Sequence, residues 1–124
     1  MSRYAMRLAM VQGVASKATF KSTAIAAALD KTRRAYETHF KRLCADGNNA
    51  VVAHHEARTA YRVAMPAMDS YGGIHAYIAC TAQGIQLDIF QGSEGSQLLY
   101  AAQVALSVLN HERKSSAKKP NKAA

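Results

Sequence analysis

Apolar residues along this chain recur mostly at steps of three and four, the spacing that gives a helix one buried face. From Ser22 onward, Leu29, Tyr36, Phe40 and Leu43 mark one stripe, while Arg34, Glu37, Lys41 and Arg42 fall mainly off it. Ser22 or Thr23 is placed to cap this helix, and Gly47, followed by Asn48 and Asn49, to end it. Asn49 then caps a second helix that Pro66 closes. In it Ala50, Ala53, Ala57, Ala60 and Ala64 form a stripe of methyl groups that lets another helix approach closely. The two segments predict an antiparallel hairpin with a short turn.

The stretch Tyr71–Gly92 carries two patterns at once. Ile85, Leu87 and Ile89 alternate with Gln86 and Asp88, as in a strand after a turn at Gln83-Gly84. As a helix, Ile74, Ile78, Thr81 and Ile85 make one face and Ala76, Cys80 and Gly84 a small-residue face beside it. Two further facts favour the helix: Ala76, Ala79 and Ala82 are strong helix formers, and Gln-Gly is a weaker hairpin signal than Asn-Gly. On that basis Gly72 and Gly73 loosen its start, Gly84 marks a close contact and Gly92 is its stop. The last segment has Ser93 or Ser96 as candidate cap, then a broad face of Leu98, Leu99, Ala102, Ala105, Leu106 and Leu109. Before all of these, Tyr4, Leu8, Val11 and Ala15 allow a short helix up to about Gln12, with a flexible arm as the alternative.

These patterns predict an all-α bundle of four main helices with a short fifth at the N-terminus as an option. The expected divisions are a basic arm or short helix over 1–21, a helical domain over 22–112 and a disordered basic tail over 113–124. Composition agrees: 124 residues fit one domain, 49% are apolar, and there is no Trp and only three Phe. With so many alanines, close helix packing must replace large side chains in the core.

Charge adds a feature that the hydrophobic pattern lacks. The net charge is +8, but residues 63–111 hold only Asp69, Asp88 and Glu94, for −3. Residues 1–29 have four bases and no acid, and 112–124 set five bases against Glu112. Residues 30–47 set five bases against Asp30, Glu37 and Asp46. Basic ends and a basic first helix around a mildly acidic body favour a polyanion, either nucleic acid or an acidic protein surface. The expected contacts are Lys31, Arg33, Arg34, Lys41, Arg42 and Arg58, together with the termini. The tail lacks aromatic side chains to stack on bases, so contacts there would be electrostatic and blind to sequence.

Other chemistries find little footing. GxGxxG is absent, and no lysine lies between Tyr71 and Gly92, so that stretch makes a poor phosphate loop. His39, His54, His55, His75, His111, Cys44 and Cys80 are the candidate ligands for a metal. They contain neither HExxH nor CxxC, and adjacent His54 and His55 diverge on a helix. No nucleophile motif appears, so neither catalytic residues nor cofactors are expected. Two isolated cysteines give no disulfide framework, and no run reaches the roughly 18 apolar residues of a membrane span, so a cytoplasmic setting is expected. The acid-free basic N-terminus also has the look of an organelle targeting segment. The small-residue stripes leave a protein-interaction or self-assembling module, and so a homo-oligomer, as the competing function. A small enzyme or metal protein is the third.

Overall fold

The computed structural model describes residues 23–118, which form four helices and no strand. They are α1 (Thr23–Ala45), α2 (Ala50–Ala64), α3 (Tyr71–Gln86) and α4 (Gly92–Lys118). The N-terminal arm or short helix, the Ser22 cap and the last six residues of the tail lie outside the described residues. No described helix is long and apolar enough to cross a membrane.

Helices α1 and α2 form the expected hairpin. Gly47, at φ +91°, takes the left-handed position that follows α1. Its N–H donates to the Cys44 carbonyl at 3.1 Å and that of Asn48 to the Leu43 carbonyl at 3.0 Å, the paired bonds of a Schellman ending. The Asn49 side chain then accepts the Val52 N–H at 2.9 Å and caps α2. Met65 is extended ahead of Pro66, and there α2 ends. Ala53 and Ala57 are fully buried and give α1 room for Tyr36 and Phe40, whose rings stack with centroids 5.8 Å apart.

Tyr71–Gly92 is a helix over its first sixteen residues, and the hairpin alternative fails. Ser70 caps it, its side chain accepting the Gly73 N–H at 3.0 Å. The end, however, is not at Gly92. Helix α3 stops at Gln86, and Asp88 takes the left-handed position at φ +59°. Asp88 N–H donates to the Ile85 carbonyl at 3.1 Å and Ile89 N–H to that of Gly84 at 2.8 Å, a second Schellman ending with aspartate in the usual glycine place. Gly92 instead opens α4, one residue ahead of Ser93.

The turn after α3 supplies the centre of the core. Leu87, Ile89 and Phe90 are buried while Asp88 is exposed, so the alternation in the sequence is real. It belongs to a turn whose three apolar side chains plug the α1–α2 hairpin against Tyr36, Phe40, Ala53, Ala57 and Tyr61. Phe90 meets Tyr61 edge-on, with centroids 5.3 Å apart. Gly84 makes room for Phe90: a Cβ there would lie 2.5 Å from the ring. Beyond the turn, α4 packs back along α3 and α3 along α1. Tyr71 O–H donates to Asn110 Oδ1 at 2.7 Å, and the Arg113 guanidinium lies 6.0 Å above the Tyr71 ring. Helix α4 continues past Arg113, where the sequence places the start of the tail, as far as Lys118.

Candidate polyanion-binding surface

On a helix of 3.6 residues per turn, Lys31, Arg34, Lys41 and Arg42 fall within a sector of about 100°, opposite the Leu29–Tyr36–Phe40–Leu43 stripe. All four are exposed, as expected for a face turned away from the core. The ridge from Lys31 to Arg42 is on the order of 16 Å long, enough to face several phosphates of one strand. Arg42 also lies in the last turn of α1, where a cation opposes the negative end of the helix dipole.

The two acids of α1 lie along the flank of the ridge and engage two of its arginines. Arg33, on the core side of that flank, binds both Asp30 and Glu37, the second at 2.7 Å, with its side chain only 14% exposed. Burial works against its charge, but the hydrogen bonds to Asp30 and Glu37 outweigh it and its pKa is raised. Arg34 Nε reaches the other Asp30 oxygen at 2.9 Å, yet its side chain stays 71% exposed. Lys31, Lys41 and Arg42 form no ion pair with a described carboxylate. Arg58 is on a different helix and faces elsewhere. With Arg62 it grips Glu94 at the start of α4, at 3.3 and 3.2 Å, and its other nitrogen approaches His55 Nδ1 at 3.2 Å. Of the six expected side chains, then, four share one exposed ridge, Arg33 is committed to its own helix, and Arg58 ties α2 to α4.

The histidines and cysteines do not converge: no three His, Cys, Asp or Glu side chains gather as a metal cage among the described residues. His54, half-buried, meets the Tyr36 hydroxyl through Nδ1 at 2.7 Å, and exposed His55 turns to Arg58. His39 Nδ1 lies 3.0 Å from the carbonyl of Ala35 in its own helix. Cys44 is exposed and Cys80 buried.

A buried polar cluster escaped the sequence reading. Gln83, on α3, donates from Nε2 to the Tyr61 hydroxyl at 2.8 Å and lies 3.4 Å from both Thr32 Oγ1 and the Leu29 carbonyl. Tyr61 O–H donates in turn to the Cys80 carbonyl at 2.6 Å. Burial pushes the Tyr61 phenol well above its ordinary value, against the hydrogen bonds from Gln83 and Thr32, and it also raises the Cys80 thiol. These groups join α1, α2 and α3, and their hydrogen-bonding capacity is spent on one another, which marks the cluster as a structural clasp. A more open cleft of about 400 Å³ lies between α2 and α3, lined by Thr59, Arg62, Val63, Met65 and Tyr77.

No family model, curated protein or solved structure matches this chain.

Proposed function

We propose that the protein is a small non-enzymatic binding protein that contacts a polyanion, nucleic acid above all, through the outer face of α1 and its basic ends. The observation that carries this reading is the ridge of Lys31, Arg34, Lys41 and Arg42, exposed together on the side of α1 that the core does not use. The body of the chain from 63 to 111 holds no Lys or Arg, so that stretch offers a polyanion no cation. The contacts are made to phosphates and carry little sequence preference.

Fluorescence anisotropy with labelled single- and double-stranded oligonucleotides over a salt series tests the reading. Submicromolar binding at low salt, weakening steeply as salt rises, is the expected result. Replacing the four ridge residues by alanine lowers the slope of log affinity against log salt by about three to four. Arg33→Ala leaves that slope in place, because its charge is spent on Asp30 and Glu37. Absence of binding even at low salt refutes the reading.

A further inference from the structure

Helix α4 carries an apolar ridge that nothing in the described bundle covers. Tyr100, Val104 and Val108 are 67%, 45% and 52% exposed and succeed one another at steps of four along one side of the helix. From Ser96 to Asn110 there is no Asp, Glu, Lys or Arg, in a chain whose net charge is +8. A long uncharged helix face on a strongly cationic protein restricts what can cover it. A polyanion finds no cation there, and an acidic partner gains nothing over the basic ridge of α1. A second copy of the chain can approach by this route without setting its own bases against those of the first.

The face is also shaped to fit itself. Side chains at steps of four form the ridge used in the commonest helix–helix packing, in which the ridge of one helix enters the groove of another at a crossing angle of about −50°. Beside this ridge, towards the core, runs the row of small side chains Ala101 and Ala105, both half-buried. A ridge with a row of small side chains beside it suits a two-fold, self-complementary contact. The ridge is symmetric about Val104: a two-fold axis there pairs the two Val104 side chains and sets Tyr100 of each copy against Val108 of the other.

We infer that two copies of this protein pair through α4, with Val104 at the two-fold axis and the basic α1 ridges left free. A single helix crossing belongs at the small end of specific interfaces, below about 1,200 Å², the range of weak and reversible contacts. The inference is independent of the polyanion reading, since it uses none of the same residues and its test contains no nucleic acid.

Sedimentation velocity on the full chain, from low micromolar to submillimolar concentration, is expected to show a reversible monomer–dimer equilibrium. Val104→Arg brings two cations together at the axis and abolishes the dimer, while the far-ultraviolet circular dichroism is unchanged. In a Cys44→Ser background, Val104→Cys closes a disulfide between copies under mild oxidation. Val63→Cys, on the more exposed site of α2, does not. A chain that stays monomeric throughout, a dimer that survives Val104→Arg, or equal crosslinking at 63 and 104 overturns the inference.

Discussion

The α1–α2 hairpin and the α3–α4 pair differ in what they set between their helices and in what they show to solvent. The hairpin packs stacked aromatic rings against an alanine face and carries ten of the fifteen charged side chains of the described helices. The α3–α4 pair has no Lys or Arg before Arg113 and is fitted by shape. Gly95 lies where a Cβ would be 2.4 Å from Ile85, and Gly84 lies under Phe90. Charge can therefore vary on the first half without touching the core. The second half has few charges to vary, but its small residues are fixed by what they touch.

Breaking the fitted half at its centre has the largest effect. Phe90→Ala removes the ring that joins the α3–α4 turn to Tyr61, with a loss of about 3–5 kcal/mol in chemical denaturation. Gly84→Ala presses a methyl group onto the same ring from the other side. Phe90 is 1% exposed and has nowhere to move, so the overpacking cost of about 1–3 kcal/mol exceeds the gain in helix propensity of about 1 kcal/mol. Gly95→Ala is the informative contrast. There the added methyl group meets Cδ1 and Cγ1 of Ile85, at 2.4 and 2.5 Å, and the β-branched side chain has few rotamers to turn to. Ile85 is only half-buried, however, and can give more than Phe90 can, so the same change destabilises by less than Gly84→Ala. If Gly84→Ala and Gly95→Ala have equal effects, the shape-fitted account of α3 is wrong.

Next in size is the clasp that joins the two halves. Tyr61→Phe deprives Gln83 and the Cys80 carbonyl of a partner, at a cost of about 1–3 kcal/mol. It also changes the response to alkali. Burial raises the Tyr61 phenol from 10.0 and the Cys80 thiol from 9.0, so both are held neutral in the folded chain. The stabilisation from a raised acid is complete below its unfolded value and is lost as pH climbs from there towards the folded value. Melting temperature is therefore level near neutrality and falls from about pH 9 upward, more steeply above 10. In Tyr61→Phe the start is lower but the fall above pH 10 is shallower. An unaltered fall shows that other groups govern alkaline unfolding.

The comparison also explains which parts of the fold were legible in the sequence. The hairpin announces itself because its signals are local: a stripe at steps of seven, four and three, Gly47 at the stop, Asn49 at the cap and Pro66 at the end. Each acts through its own backbone, whatever it packs against. The end of α3 was hidden because aspartate, not glycine, holds the left-handed position, and because Leu87, Ile89 and Phe90 resemble strand alternation when seen without the hairpin they plug. Gln83 was hidden for a related reason. A glutamine before glycine looks like a surface turn until Tyr61 and Thr32, distant in sequence, arrive to satisfy it. The charged ridge was readable as a face of α1. The pairing of Arg33 with Asp30 and Glu37 was latent in their i,i+3 and i,i+4 spacing. The grip of Arg58 on Glu94 depends on tertiary contact and left no local signal.

That grip is where charge joins the two halves, and disturbing it has the smallest effect on stability. Arg58 and Arg62 are 26% and 52% exposed at their side chains and Glu94 is 20% exposed, so each pair contributes about 0.2–1 kcal/mol and less at high salt. Glu94→Ala costs no more than that, because Leu98 and the Phe90 plug still hold α4 to the core. Its consequence for binding has the opposite sign. With the carboxylate gone, two guanidinium groups stand free and the local field becomes positive. On the polyanion reading Glu94→Ala binds oligonucleotides more tightly, and its salt slope steepens by up to about two. Alanine at the α1 ridge does the reverse while shifting stability by no more than about 0.5 kcal/mol. Anisotropy and denaturation on both variants separate the roles. If Glu94→Ala leaves the salt slope unchanged while the ridge variant lowers it, polyanion contact is confined to α1 and Arg58 serves only to hold α2 to α4.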